Sequence, residues 1–568
     1  MSTATSERTE ARRPTPEQEA AIVASAPRVL IEAGAGSGKT GVMVDRYCRL
    51  VCDRGVAPEA VLAITFTEKA AAELRERVRA ELARRAADGS ARAAELLASI
   101  GGAWITTIHG FCHRVLAAHP VAAGVDPRFS VLDPAEADRA AREAFDDALE
   151  VFVGDGDPER EETVAAYGTE ALREMVVDAH EELRSRGART PRLPEPPPAE
   201  AAAALRRAAE VAAATLAELS ESSKARPQVE RALELLRARG EQIGVDELAT
   251  LRSKSTAKGM AEYCEAIDDA LARVAEAGEG GTAYRHMQEL LRIFAGNYEE
   301  AKARRRGLDF EDLQLLAAGL LDQDAVGRSY RARFRHVMID EFQDTNRLQL
   351  RLIESLRGPE TSLVVVGDLL QSIYGFRHAD LDVFREQRQQ IGADPKGETI
   401  ELSGNFRSRP EVIGAVNALG GELIGDSYQP LSVGLAPDGP PPGDGVTAVE
   451  LLLTRKAGWD DFDLEPAVDS GTPPHYLAEA RSLARRLREL VDSGVRRGEI
   501  VLLLRAFTHL GAYEDSLARA GLRPYVVGGR GYWSQQQVSD VCALLAVIAN
   551  PLDDQALFGA LASPACGV

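Results

Sequence analysis

Two stretches of this 568-residue chain carry side chains suited to phosphate chemistry. The first is Ala33-Gly34-Ala35-Gly36-Ser37-Gly38-Lys39-Thr40, which follows the apolar run Val29-Leu30-Ile31. Glycines let backbone N–H groups turn onto phosphate oxygens at a helix N-terminus, while Lys39 would reach the β- and γ-phosphates and Thr40 would hold Mg2+. The pattern is that of a P-loop with one departure: Ala33 stands where the strict form has Gly. The second stretch is Val337-Met338-Ile339 closed by Asp340-Glu341. Here Asp340 would hold Mg2+ and Glu341 would orient and deprotonate an attacking water. Two acids ending a strand in solvent would look the same up to this point, but Phe342-Gln343-Asp344-Thr345 continues the pattern.

The elements around these stretches must bring them together. Thr15-Pro16-Glu17-Gln18 reads as a helix start with a capping box, and its distance ahead of the P-loop suggests a second role for Gln18, reading the edge of an adenine. Val61 to Thr67 is a buried-strand pattern running into the helix former Glu68 to Leu74, and Trp104 to Cys112 begins as another short strand. Ser362 to Asp368 and Glu398 to Leu402 repeat the pattern. Strands alternating with helices predict a parallel α/β sheet with its ligands beyond the carboxyl ends of the strands. From about Pro134 to Arg306 the chain turns Ala-, Arg- and Glu-rich without a sustained heptad, which predicts a helical insertion with one proline-rich linker at Leu193 to Pro198. The segments around Ala436 to Gly445 and Trp459 to Glu465 read as surface loops. Ile500 to Arg505, a helix through Tyr513 to Ala520, and Pro524 to Gly529 read as a strand-helix-strand unit opening a second α/β domain.

Composition bounds the partners. A formal net charge of -21 argues against binding nucleic acid by bulk charge. It allows a motor that grips single strands in a local groove through stacking. The six cysteines include no C-x-x-C, so neither zinc nor an iron-sulfur centre is indicated, and Cys48 and Cys52 suit a helix face. No stretch is apolar for long enough to span a bilayer and Met1 to Pro14 lacks a signal-peptide core, which places the protein in the cytoplasm, away from membranes.

Ala33 to Thr40, Thr65-Phe66-Thr67-Glu68-Lys69-Ala70-Ala71, Asp340 to Asp344, Gly367-Asp368-Leu369-Leu370-Gln371-Ser372-Ile373-Tyr374-Gly375-Phe376-Arg377 and Asn405-Phe406-Arg407-Ser408 stand in order. Together they resemble the UvrD/Rep-like superfamily 1 DNA helicases. The resemblance implies RecA-like P-loop motor domains, divided here as 1–108 and 308–408 for the first motor, 109–307 for the helical insertion and 409–568 for part of a second motor. It implies ATP with Mg2+ as cofactors and DNA as partner, with single strands and duplex ends as the forms bound, and 3′ to 5′ movement. By the same resemblance Gln371 senses the γ-phosphate and couples it to DNA, Arg407 is a positive finger on that phosphate, and Phe406 stacks on the adenine where relatives often have Tyr. Thr65, Phe66, Thr67, His109, Tyr374, Phe376 and Arg377 are assigned to a DNA strand, with Phe66, Tyr374 and Phe376 as a stacking platform.

Ile105 to Cys112, Leu308-Asp309-Phe310-Glu311-Asp312-Leu313 and Ser563-Pro564 look most like the AddA and RecB helicase-nuclease subunits of double-strand-break repair, which implies a second subunit. There are departures. Leu369-Leu370 replaces polar or proline residues, Phe376 stands where many relatives have Trp, and His378 where many have Gly. The family's later motifs, a His-x-x-Lys-Gly-Leu-Glu loop and a Thr-Arg-Ala arginine finger, do not occur in the 568 residues. The resemblance therefore implies a truncated chain that binds nucleotide and hydrolyses it poorly by itself. An alternative of another class is a nucleotide-gated, DNA-binding scaffold subunit without helicase activity of its own. A transporter-type ATPase, suggested by Leu402-Ser403-Gly404-Asn405, fails because the following Gly-Gln is missing.

Overall fold

The computed structural model of the chain describes residues 13–154, 156–194, 200–240, 243, 245–253, 260–425, 428–434, 447–456, 472–527 and 536–566. They form two compact units, Met1–Pro441 and Pro442–Val568. The first is built on six strands: β1 (Arg28–Ala33), β2 (Val61–Thr65), β3 (Trp104–Thr107), β4 (His336–Ile339), β5 (Ser362–Gly367) and β6 (Gly397–Leu402). They lie in the order β3-β2-β4-β5-β1-β6 and every pairing is parallel.

These strands are apolar without interruption because both faces of the sheet are covered. Successive side chains go to opposite faces, so each strand divides its residues between two cores. Val29 and Ile31 join Val61, Ala63, Met338, Val364 and Val366 on one face. Leu30 joins Leu62, Ile64, Val337, Ile339, Leu363 and Val365 on the other. Register places Ile31 opposite Val366 and Ile64 opposite Ile339, which aligns the carboxyl ends of all the central strands. Five strand ends thus deliver loops to one edge of the sheet, where α/β folds bind ligands.

Helices leave that edge with side-chain caps. α1 (Pro16–Val23) starts at the capping box of Thr15 and Gln18, and α2 (Lys39–Cys48) starts at Gly38. α3 (Glu68–Ala87) is capped by Thr67 and α4 (Ile108–Ala118) by Thr107. Between them the two threonines satisfy N–H groups that the first helical turn leaves open.

Between residues 134 and 304 the described elements are helical, including α5 (Pro134–Val153), α6 (Thr169–Ser185) and the 45-residue α7 (Met260–Arg304). The insertion is tied at its root by a two-residue parallel bridge, Ser130 with Gly307 and Val131 with Leu308. α8 (Phe310–Leu321) then returns to the sheet. At this junction Arg184 and Lys302 are buried against Asp309 and Asp312. The same two carboxylates form the capping box of α8. Of the proline-rich linker, residues 195–199 lie outside the described residues, as do the loops expected at 436–445 and 459–465.

α9 (Pro410–Ile424) belongs to the first unit, and α10 (Pro474–Asp492) and α11 (Leu510–Arg519) to the second. The strand-helix-strand expectation for the second unit needs correcting: α11 forms, but residues 500–505 and 524–527 pair with nothing as strands, and no strand occurs among the described residues of this unit. Residues 528–529 lie outside the described part. The period of two is present all the same. Leu502 and Leu504 pack toward Leu477, Ala480 and Tyr513, while Val501 and Leu503 are 77% and 87% exposed. A strand exists only when a neighbour takes its N–H and C=O groups, and alternating apolar residues cannot supply one.

Candidate nucleotide and nucleic-acid site

β1 ends at Ala33, whose pairing with Leu402 keeps it in extended backbone. This explains why an alanine serves where the strict P-loop has Gly. The real demands for glycine come later. Gly36 and Gly38 have φ of +70° and +83°, and a Cβ on Gly36 would sit 2.8 Å from both the Arg407 Cβ and the Asn405 Nδ2. Gly34 N–H donates to the Leu402 carbonyl at 3.1 Å and Ser37 N–H to the Gly34 carbonyl at 3.2 Å, which curls the loop before Lys39 and Thr40 open α2. The Ser37 hydroxyl and the far oxygen of Glu32 are buried without a hydrogen-bond partner. An orphaned hydroxyl inside a phosphate-type loop fits an oxyanion or the cation that accompanies it.

The paired acids arrive from the neighbouring sheet region. Asp340 N–H continues the ladder by donating to the Ile64 carbonyl at 2.9 Å, and the Asp340 carboxylate accepts from Glu341 N–H at 3.0 Å. Glu341 takes φ +52°, a left-handed conformation that a non-glycine residue adopts at a cost, and the turn aims its carboxylate across the edge. There Glu341 Oε2 meets the Lys39 ammonium directly. Burial, and then the charge of Glu341, push Asp340 up to about 6, and the same two causes push Asp344 up to about 6. Three carboxylates thus share Lys39, and such a site favours a further cation. Among the described residues no three His, Cys, Asp or Glu side chains converge as a metal cage. Mg2+ needs none when phosphates supply most of its ligands, so Thr40 and Asp340 are residues that fit it.

Next to the P-loop, Gln18 serves two partners. Its Oε1 accepts from Thr15 N–H at 3.0 Å and its Nε2 donates to the Ser37 carbonyl at 2.8 Å. A cavity of about 170 Å3 has Gln18 on one wall and the Phe406 ring on another. An amide edge beside an aromatic face suits a flat heterocycle. Arg407 follows Phe406, whose N–H donates to the Gly36 carbonyl at 2.9 Å.

The DNA candidates divide. Phe66, at the end of β2, lies 4.6 Å from Tyr374, and Tyr374 lies 5.7 Å from Phe376, ring centre to ring centre. Phe376 is 75% exposed, so the row opens to solvent. Gln371 Nε2 donates to the Asp368 carboxylate at 2.6 Å, at the start of the loop carrying Tyr374 and Phe376. His109 begins α4 one strand over, with its ring 4.9 Å from Phe310 and its Nε2 3.1 Å from Gln314. Thr65 is buried, its hydroxyl donating to the Thr67 carbonyl, while the Thr67 hydroxyl caps α3 at Ala70. The Arg377 side chain lies outside the described residues. Two residues escaped sequence reasoning. Asn405 bridges the P-loop to Arg407, and Gln343 bridges Glu341 to Asp368. Both stand inside the ordered motifs, and their only signal was a buried amide type between reactive neighbours.

A P-loop leaving one strand, paired acids leaving another, and six parallel strands holding both on one edge define a P-loop NTPase domain of the RecA-like motor class. The match to the UvrD/REP helicase N-terminal domain family covers residues 14–392, and the chain belongs to that family. It is 32% identical to the AddA-type subunit of the ATP-dependent helicase/nuclease of Desulforudis audaxviator, over 97% of this chain and 53% of that protein. For the corresponding helicase/nuclease subunits of Moorella thermoacetica and Listeria welshimeri the identities are 30% and 27%, over 98% of this chain and 50% and 52% of theirs. The chain spans about half the length of these curated relatives. No helix among the described residues is long and apolar enough to cross a membrane.

Proposed function

We propose that the protein is an ATP- and Mg2+-dependent DNA motor that moves 3′ to 5′ along a single strand, as the motor subunit of a helicase-nuclease that works on duplex ends in the cytoplasm. In this reading 1–108 and 308–408 are the first motor domain, 109–307 its insertion and 409–568 part of a second. The observation that carries it is the meeting of Lys39 with Glu341 on a sheet edge that also holds the Phe66, Tyr374 and Phe376 row. The relatives are named as one subunit of a helicase/nuclease, which supports a second subunit here, and the polarity rests on the family resemblance.

The chemistry follows from the residues. Triphosphate settles on the N–H groups of Gly34 to Thr40 and draws Lys39 away from Glu341. Glu341 then takes a proton from the attacking water while its oxygen bonds to the γ-phosphorus, and the bond to the β–γ bridging oxygen breaks to release ADP. Mg2+ held through Thr40 and Asp340 would neutralise charge on the phosphates. Arg407 and Gln371 would read the γ-phosphate, Gln18 and Phe406 the adenine, and bases would stack on the aromatic row, assisted by Thr65, Thr67, His109 and Arg377.

The test is ATP hydrolysis with and without oligo(dT), then unwinding of duplexes tailed at 3′ or 5′. Stimulation by DNA, its loss in Lys39→Ala, and opening of the 3′-tailed duplex are expected. Turnover by Lys39→Ala at the wild-type rate would overturn the reading, and opening of the 5′-tailed duplex alone would reverse the polarity. Tight binding of ATP and oligo(dT) without turnover under any condition would put the nucleotide-gated scaffold in its place.

A further inference from the structure

Gln343 is 2% exposed and touches both halves of the site. Its Nε2 donates to Glu341 Oε2 at 2.9 Å, the same oxygen that meets Lys39. Its Oε1 accepts from the backbone N–H of Asp368 at 3.0 Å. The orientation is fixed by chemistry, since a carboxylate accepts and a backbone N–H donates. The amide is packed so closely on the end of β5 that a Cβ on Gly367 would lie 2.7 Å from its Oε1. The main chain of Gln343 adds a third tie: its carbonyl accepts from the Ser372 hydroxyl at 3.2 Å. Ser372 stands two residues before Tyr374, whose ring faces Phe66. Asp368, held at its N–H by Gln343, receives the Gln371 amide on its carboxylate at 2.6 Å.

We infer that Gln343 is the positioning residue through which the state of the nucleotide site is transmitted to the aromatic row. The inference deepens the proposed function and rests on it. While Lys39 lies on Glu341, the shared oxygen Oε2 has two donors. Once phosphate draws Lys39 away, the Gln343 amide is what remains on that oxygen, so Glu341 can turn toward water only by pulling on, or parting from, this amide. A buried amide does not release a charged acceptor cheaply, because the unpaired group carries its desolvation penalty. The displacement therefore reaches Asp368 and Ser372, and with them the loop that sets Tyr374 against Phe66. Reciprocity follows: DNA that reshapes the row alters nucleotide affinity by the same factor.

The experiment measures binding on the whole chain, with no need for turnover. Fluorescent oligo(dT) is titrated with and without a non-hydrolysable ATP analogue, and the analogue is titrated with and without oligo(dT). Wild type should show about a tenfold change in each direction. Gln343→Met should bind each ligand alone nearly as wild type does but bring the coupling factor close to 1. Ser372→Ala, which removes only the main-chain tie, should lower the factor part of the way and serves if Gln343→Met fails to fold by its melting curve. Two results would overturn the inference: a wild-type factor retained in Gln343→Met or, where that variant does not fold, in Ser372→Ala; or a wild-type factor of 1 although both ligands bind. Wild type binding neither ligand would sink the proposed function instead.

Discussion

At the scale of the residue, the site is organised by buried amides as much as by charges. Asn405 is 3% exposed and spends its side chain entirely on backbone. Its Nδ2 donates to the Ala35 carbonyl at 2.6 Å, while its Oδ1 accepts from Arg407 N–H at 2.9 Å and Ser408 N–H at 2.8 Å. Holding the Ala35 carbonyl outward leaves the following N–H groups free to face a phosphate, and capping Arg407 sets where its guanidinium starts. Asn405→Ala removes all three bonds. Asn405→Asp keeps the two acceptor roles and sets a carboxylate against the Ala35 carbonyl. Both variants should weaken ATP-analogue binding, by about 1 to 3 kcal/mol for Asn405→Ala and by at least as much for Asn405→Asp. A fluorescent-nucleotide titration checks this, and wild-type affinity in Asn405→Asp would show that the Ala35 bond organises nothing.

At the scale of the element, the joint between insertion and sheet depends on a buried ion cluster. Lys302 Nζ donates to Asp309 at 3.0 Å, Asp312 at 2.6 Å and Glu299 at 2.8 Å, and Arg184 Nη1 to Asp309 at 2.8 Å. Burial alone would raise Asp309, but Arg184 and Lys302 hold it well below the usual carboxylate range. Lys302→Met leaves two buried carboxylates with one cation and should cost about 3 to 5 kcal/mol, read by denaturant unfolding. His180, on α6, packs its ring edge-on to Phe294 and Tyr298 of α7. Burial, then Arg184 and Lys302, against a smaller pull from Asp309, lower it from 6.5 to about 3. The unfolded chain therefore takes up this proton first, so the contribution is whole above pH 6.5 and is lost as pH falls from there toward 3. Between pH 6.5 and 5 the loss amounts to roughly 2 kcal/mol. The stability gap between wild type and His180→Gln should narrow over that interval, and a constant gap would refute the assignment. The six strands of the sheet were legible in the sequence because each is apolar on both faces, and the helix starts because Thr15, Thr67 and Thr107 are caps. The bridging roles of Gln343 and Asn405 were not legible. They depend on β4 lying beside β5, and β1 beside β6, an adjacency that chain order does not contain. The unpaired runs of the second unit give a false signal, because the alternation that marks a strand says nothing of its neighbour.

At the scale of the whole molecule, a chain of net charge -21 has to hold a polyanion. Binding by phosphate neutralisation releases counterions, and for single strands the logarithm of affinity falls with the logarithm of salt with slope about -0.7 per phosphate contacted. A field of this sign opposes such contacts at long range and is itself screened by salt. Stacking on neutral rings releases no counterions, is worth about 1 to 3 kcal/mol per base, and is indifferent to sequence. If the Phe66, Tyr374 and Phe376 row is the principal grip, oligo(dT) affinity should fall only shallowly as salt rises, with a slope corresponding to a few phosphates. Phe376→Ala should then weaken binding by about 1 to 3 kcal/mol at every salt concentration, leaving the slope unchanged. Fluorescence anisotropy over a salt series checks both arms. A steep slope together with an unaffected Phe376→Ala would mean that basic side chains, not rings, carry the strand, and the aromatic row would revert to an exposed piece of core.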